Sequence, residues 1–315
     1  MDLVMKVDPR YLRYLQAIDD HGTFIRAAEE EGISQPALTN KIIILERQLG
    51  TQLIDRGRFG ARLNTFGKLL LRHAKAIDAV LDRASLEIEL AKIGEGGTLV
   101  IGATPISIIE LLPRALRRMD EENARIRVSI IEGFDDQLLE LLLAGEVDII
   151  VGGMMVGERQ PDIVGSHLID LPLDAVIGRA SKLWERDDIS FSELLEHDWV
   201  LPSSGNVIRS YVDSIFIASG ENIPSRTWTC TSLHALKLII QYSKRVSLMP
   251  SHAFAPESDA GILKRLKLLG PTSSRKLNVL RLKHVPPSPL LDPLIENLRD
   301  VATRISDRES RRDCS

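Results

Sequence analysis

The stretch from Thr23 to Leu49 most constrains the fold, because it is typical of two short helices joined by a sharp turn. Thr23 is a candidate N-cap for the first helix, and Gly32 stands where a left-handed helix end favours glycine. Ser34 would cap the second helix, with Pro36 in its first turn, where the missing proline N–H does no harm. That helix carries an apolar stripe at helical spacing, formed by Leu38, Ile42, Leu45 and Leu49. The pattern predicts a helix–turn–helix.

The exposed start of the second helix is rich in side chains that can meet base edges and phosphates. These residues are Gln35, Pro36, Thr39, Asn40 and Lys41. A surface hairpin with an ordinary polar face is the alternative interpretation. The flanking charge favours DNA, because the segment from Gln35 to Lys75 holds eight Lys or Arg and two Asp or Glu, in a chain of net charge −4.

The residues after Gly50 are typical of a β-hairpin wing, with two short extended pieces around a glycine-containing turn. Arg56 and Arg58 would lie along this wing, within reach of phosphates or a minor groove. A solvated basic turn would have the same composition and is the alternative.

A long helix is predicted to begin at Asn64 or Thr65 and to carry a heptad seam. The seam consists of Leu70, Ala74, Ile77, Leu81, Ala84, Ile88 and Ala91. Such a narrow stripe needs another helix, so we interpret it as a dimerisation helix. Packing against the C-terminal part of the same chain is the alternative.

From Thr98 onward the pattern changes to alternating strands and helices, which predicts a parallel sheet covered on both faces and arranged as two α/β lobes. Separate strands are expected near Val164–Ile169 and Asp174–Gly178. The charged end of the chain after Ser306 is expected to fray.

Hydroxyl side chains follow several of the predicted strands and open helices: Thr104 and Ser107, Ser203 and Ser204, and Thr231. Each could be only an N-cap. Together, at the ends of three strands, they favour a pocket for a small anion, which we expect to be a carboxylate. Phe134 and Ile106 would supply an apolar wall and thus favour an organic acid. Arg209 is the best placed counter-charge in these loops.

Composition narrows the function further. No apolar run approaches the roughly 18 residues of a membrane span, the N-terminus lacks a signal-peptide core, and two cysteines cannot form a disulfide framework, so we expect a cytoplasmic protein. The chain lacks a metal-type histidine pair, a nucleophile elbow and a phosphate loop, so no catalytic residue, metal or cofactor is predicted. An enzyme, or a solute-binding protein, of two-lobed α/β fold with an appended helical domain is the alternative class.

The ordered motifs resemble those of the LysR-type transcriptional regulators. The matching positions are Gly22–Phe24, Ala27, Ala28, Ser34–Ala37, Leu45, Glu46, Leu49, Gly50, Leu53, Arg56, Leu63, Asn64 and Gly67, with weaker matches at Leu111–Pro113, Gly145–Asp148 and Leu248–Pro250. The chain departs from the pattern at Ile54, where phenylalanine is usual, and at Asn64, where threonine is usual. Tyr242–Arg245 replaces a glycine-rich turn, which puts one wall of the pocket in doubt.

The resemblance implies a winged helix–turn–helix DNA-binding domain over residues 1–67, a linker helix over 68–94, and a two-lobed, periplasmic-binding-protein-like (type 2) effector domain over 95–305. The first lobe would hold about 95–170 and 270–305, the second about 171–269, and 306–315 would be a tail. It further implies a homotetramer built as a dimer of dimers, promoter DNA and a small effector as partners, RNA polymerase as a further partner, and no enzymatic activity.

Individual roles also follow from the resemblance. Major-groove contacts fall to Gln35, Pro36, Thr39 and Asn40, and wing contacts to Arg56 and Arg58. The effector cleft would be bordered by Thr104, Ser107, Phe134, Ser203, Ser204 and Thr231.

Overall fold

A computed structural model describes residues 7–57, 60–92, 96–122, 126–154, 160–204, 207–270, 273–283 and 288–313. The chain divides into two compact units. One is formed by Met1–Ile93 with Leu143–Glu146, and the other by Gly94–Leu142 with Val147–Ser315. In the described ranges, no helix is both long enough and apolar enough to cross a membrane.

The first unit begins with three helices, α1 (Pro9–His21), α2 (Phe24–Glu30) and α3 (Gln35–Leu49). The predicted caps are confirmed, because the Thr23 hydroxyl accepts from the Arg26 amide at 3.3 Å and the Ser34 hydroxyl accepts from the Ala37 amide at 3.3 Å. The stripe of α3 packs against α1 and α2 in one core.

The wing consists of β1 (Ile54–Gly57) and β2 (Gly60–Leu63), paired antiparallel as predicted. It leads directly into α4 (Thr65–Lys92). Asn64 caps this helix, since its side-chain oxygen accepts from the amides of Phe66 and Gly67 at 2.9 and 3.0 Å. Its side-chain NH₂ also donates to the Gln52 carbonyl at 2.8 Å, which ties the start of α4 to the segment before the wing.

The heptad seam of α4 divides into two parts. Ala74 is buried in the core of the first unit, and Leu70 packs against that core. Further along, Ile77, Leu81 and Ile88 are 38, 58 and 60% exposed. The second part of the seam is therefore an apolar stripe open to solvent.

The second unit begins with three parallel strands, β3 (Thr98–Ala103), β4 (Arg127–Glu132) and β5 (Ile149–Gly152). Between them lie α5 (Pro105–Ile109), α6 (Leu111–Glu122) and α7 (Asp135–Leu143). Helices α5 and α6 follow each other closely and are separated at Glu110.

The two strands expected near Val164–Ile169 and Asp174–Gly178 are wrong as separate elements. They form one strand, β6 (Ile163–Gly178), which pairs antiparallel with a strand near the end of the chain, β12 (Ser274–Leu282). Because β12 also pairs antiparallel with β5, the sheet is mixed rather than parallel throughout. Strand β6 runs from the first lobe into the second.

In the second lobe, β6 is followed by alternating strands and helices. They are β7 (Asp188–Ser190) with α8 (Phe191–Leu194), β8 (Trp199–Pro202) with α9 (Val207–Ser219), and β9 (Thr227–Cys230) with α10 (Leu233–Tyr242). After them come β10 (Ser247–Pro250), a 3₁₀ turn (Ser251–Phe254), α11 (Ala255–Asp259) and β11 (Leu263–Leu269). Strands β10 and β11 both pair antiparallel with β6. Phe191, Trp199 and Phe216 form an edge-to-face cluster in this lobe's core.

Arg245 holds the turn that replaces the glycine-rich segment. Its guanidinium stacks 3.8 Å from the ring centroid of Trp228 and donates to the carbonyls of Trp199 and Arg226 at 2.9 and 2.8 Å. The turn after α10 is thereby fixed by a side chain where the usual pattern relies on glycine.

The fraying expected after Ser306 is wrong for the described residues, which remain helical up to Asp313. They belong to helix α12 (Leu291–Asp313). Arg308 donates to Glu110 at 2.7 Å, and Glu309, only 7% exposed, accepts a hydrogen bond from the Ser251 hydroxyl. These long-range contacts hold a segment whose local composition suggests a free tail.

Candidate functional site

The first candidate site lies at the start of α3. Gln35, Pro36 and Asn40 are exposed, whereas Thr39 is half-buried. Ser34 caps α3 at the same end, where the first backbone amides and the positive end of the helix dipole lie. The structure therefore presents hydrogen-bonding side chains and a positive helix end on one surface.

Lys41 is held by a neighbour that the sequence pattern did not indicate. Its ammonium nitrogen lies 5.5 Å from the ring centroid of Tyr11 on α1, a cation–π distance. The Tyr11 ring thus keeps the Lys41 ammonium group near the exposed face of α3.

In the wing, Arg56 occupies β1 opposite Ala61 of β2, one step from the turn. Arg58 lies outside the described residues. The wing is anchored to the helical core, because Leu53, Ile54, Ala61 and Leu63 are buried in the same cluster as the stripe of α3. The strand that carries Arg56 is therefore fixed beside the helix–turn–helix.

A second candidate site lies at the carboxyl ends of the strands in the first lobe. Thr104 and Ser107 are buried, and their hydroxyl oxygens lie 3.0 Å apart. Phe134, which is half-exposed, immediately precedes α7. Sequence reasoning placed these residues together, and the structure shows the direct contact of the two hydroxyl groups.

The predicted site residues of the second lobe lie at the ends of two neighbouring strands. Strand β8 pairs with β9, and the Ser203 amide donates to the Cys230 carbonyl at 3.0 Å, which brings Ser203 beside Thr231. Ser204 and Thr231 are exposed. Ser232 is the actual cap of α10, since its hydroxyl accepts from the Ala235 amide. Within the described ranges, no hydrogen bond joins these residues to Thr104 or Ser107.

Arg209, the counter-charge expected from the sequence, is engaged elsewhere. Its Nε donates to Asp213 at 2.6 Å and its Nη1 donates to the Pro202 carbonyl at 3.0 Å. Arg209 therefore fixes the start of α9.

Sequence reasoning missed a charged pair beside Thr104. Asp135, the first residue of α7, is buried and lies 3.7 Å from the guanidinium of Arg275 on β12, which is 2% exposed. Burial raises the pKa of Asp135, and burial lowers the pKa of Arg275. The nearest local signal was the Gly152–Gly153 pair at the end of β5, which leaves room for these side chains.

His252, in the 3₁₀ turn, is fully buried in the second unit. Burial lowers its pKa to about 3, with Arg308 and Arg275 acting in the same direction. Its imidazole is therefore neutral at physiological pH and adds no positive charge to the region.

Comparison with known proteins identifies both units. Residues 9–68 match the family model described as bacterial regulatory helix-turn-helix protein, lysR family, and residues 92–303 match the model described as LysR substrate binding domain. The HTH-type transcriptional regulator PcaQ of Agrobacterium fabrum is 26% identical over 299 residues, which are 95% of this chain and 96% of PcaQ.

Solved structures show the same fold. Full-length CbnR in complex with its target DNA matches with a TM-score of 0.62 and 21% identity, covering 94% of this chain and all of CbnR. Full-length LysG of Corynebacterium glutamicum with bound effector Arg matches with a TM-score of 0.65 and 18% identity, covering 95% of this chain and 99% of LysG.

Proposed function

Because the chain belongs to the LysR family of bacterial transcriptional regulators, and is therefore a DNA-binding regulator with an effector-binding domain, we propose roles for its individual surfaces. Residues 1–67 form the DNA-binding domain and 68–94 the linker helix. The effector domain begins at residue 95 and extends to the end of α12, because Arg308 and Glu309 are tied to Glu110 and Ser251. We place the protein in the cytoplasm, where its DNA is, and keep RNA polymerase as a predicted partner.

The exposed start of α3 carries the proposal for DNA recognition. Gln35, Thr39 and Asn40 read base edges in the major groove, with Pro36 at the point of closest approach and Lys41 contacting a phosphate. Arg56 and Arg58 of the wing contact the backbone or the minor groove. What supports this assignment is the exposure of Gln35 and Asn40 on a helix whose opposite face is buried.

Replacing Gln35 with alanine is expected to weaken binding to the cognate site by roughly 1–3 kcal/mol, because a bidentate base contact is lost. Binding to random DNA should change much less. Fluorescence anisotropy with both duplexes measures the two affinities. Gln48→Ala is the matched control, since Gln48 is exposed near the other end of the same helix. An equal loss on both duplexes would contradict base reading by Gln35.

The oligomer is proposed to be a homotetramer built from two dimers, each joined through α4. Support comes from Ile77, Leu81 and Ile88, whose exposure leaves a solvent-facing apolar stripe at heptad spacing. A partner helix of the same kind would cover it.

The effector is proposed to be a small organic acid bound at the strand ends of the two lobes. Thr104 and Ser107 supply hydroxyl groups from the first lobe, Ser203, Ser204 and Thr231 border the site from the second, and Phe134 supplies apolar wall. A ligand that binds one arrangement of the lobes more tightly shifts the regulator's equilibrium on DNA.

Thr104→Val and Ser203→Ala should abolish the response to the effector and leave operator affinity nearly unchanged. A screen of small organic acids for compounds that alter operator binding by the full-length protein identifies the responding compound. Both variants are then titrated with it, beside Thr303→Val, which changes an exposed hydroxyl on α12. Normal responses from both site variants would place the pocket elsewhere.

A further inference from the structure

Arg275 is a charged residue that is almost completely buried in the second unit. It lies on β12 opposite Leu171 of β6 and is 2% exposed. Its Nη2 lies 3.7 Å from Asp135, but its Nε and Nη1 atoms have no hydrogen-bond acceptor in the part of the chain that the structure describes. Burying a guanidinium with two unpaired nitrogen atoms is unfavourable, so the site lacks an acceptor that something outside the chain can supply.

The backbone around the guanidinium is shaped to admit it. A Cβ atom on Gly153 would lie 2.7 Å from the Arg275 Nη2 and 2.8 Å from its Cζ. A Cβ atom on Gly152 would lie 2.8 Å from the Asp135 carboxylate and 3.0 Å from the Thr104 methyl group. Arg275, Asp135 and Thr104 therefore converge on the end of β5, at positions where any side chain larger than hydrogen would collide with them.

Asp135 cannot satisfy Arg275 alone. One oxygen of its carboxylate already accepts from the Gly153 amide at 3.2 Å, and the other stands 3.7 Å from the guanidinium, longer than a hydrogen bond. From the second lobe, α9 reaches the start of β12, because the Ser214 hydroxyl donates to the Ser273 hydroxyl at 3.0 Å, two residues before Arg275. The guanidinium thus lies where elements of both lobes meet.

We propose that Arg275 is the anion-recognition residue of the effector site, and that its Nε and Nη1 groups donate hydrogen bonds to a carboxylate of the effector. This inference rests on the proposed organic-acid effector and names the group that reads its charge. Asp135 and the glycine pair position the guanidinium, and Thr104 lies beside the bound carboxylate. An uncharged amide of the same shape is rejected, because its NH₂ group would face the guanidinium donors.

Matched acid and amide pairs test the proposal on the full-length protein. Benzoate, phenylacetate and adipate are titrated beside benzamide, phenylacetamide and adipamide by calorimetry at neutral pH. The parent should bind at least one acid and discriminate against its amide. Arg275→Gln should weaken binding of that acid by about 100-fold and remove the discrimination, while Arg275→Lys retains part of both.

Arg281→Gln is the control, because Arg281 lies on the same strand and is half-buried away from the glycine pair. Operator binding by every variant verifies that the chain is folded. Should Arg275→Gln prefer the acid as strongly as the parent does, only the role of Arg275 is overturned. Should the parent fail to prefer any acid over its amide, the organic-acid effector and the role of Arg275 are both overturned.

Discussion

A full-length chain carrying Leu81→Asp is expected to sediment with half the subunits or fewer of the parent assembly and to lose at least about 100-fold in operator affinity. Leu81 is the exposed centre of the apolar stripe on α4, between Ile77 and Ile88. Facing a second copy of that helix, an aspartate would bury two unpaired carboxylates, which a helix pair cannot tolerate. Operator affinity falls because a single winged domain contacts only half of a two-fold site.

Leu86→Asp is the matched control for this experiment. Leu86 is also an exposed leucine of α4, at 41%, but it lies on the opposite side of the helix from the stripe. Analytical ultracentrifugation should find the control assembled and the Leu81 variant dissociated. An intact assembly in the Leu81→Asp protein would show that the stripe packs against something other than a second subunit.

Gly67→Ala is expected to destabilise the first unit by about 3 kcal/mol, the cost of forcing an extra methyl group into a packed site. Gly67 lies in the first turn of α4, where a Cβ atom would stand 2.2 Å from the Leu53 carbonyl oxygen and 3.1 Å from the Leu63 Cβ. The carbonyl cannot move freely, because it accepts from the Asn64 amide at 3.0 Å. The junction of wing and linker helix must open to admit the methyl group.

Hydrogen exchange of the α3 and wing amides in the full-length protein measures this loss directly. Gly57→Ala provides the control, since a Cβ atom there would meet nothing within 4 Å. Exchange should accelerate throughout the first unit in the Gly67 variant and remain unchanged in the Gly57 variant. Equal protection in both proteins would mean that the backbone relaxes around the added methyl group.

The first unit was predictable because its determinants are local. Thr23, Ser34 and Asn64 each cap a helix through amides two or three residues away, and the stripe of α3 repeats within one helix. Such signals can be recognised within a short window of sequence. The exposure of Gln35 and Asn40 follows from the same helical periodicity.

The second unit was less predictable because its determinants are distant in sequence. Two separate strands were expected here, and Pro172 between them lacks the amide that a ladder requires. Instead, β6 continues through it, with Leu173 donating to the Ser273 carbonyl at 3.0 Å. The pair of Asp135 and Arg275, and the anchoring of Glu309 by Ser251, likewise join residues that no local pattern connects.

The pairing of β6 with β12 has a mechanical consequence. Two-lobed proteins that close around a ligand by hinge motion usually bend at loops whose backbone dihedral angles change freely. Here β6, the strand that passes between the lobes, is bonded to β12 from Ile163↔Leu282 to Pro172↔Ser274, so a large bend within that stretch would break the ladder. Twisting the ribbon leaves the ladder intact, and its irregularity between Leu277 and Asn278 is where the twist can change most easily. We therefore expect the connection to act as a torsion bar, so that a bound ligand would turn one lobe against the other through a small angle.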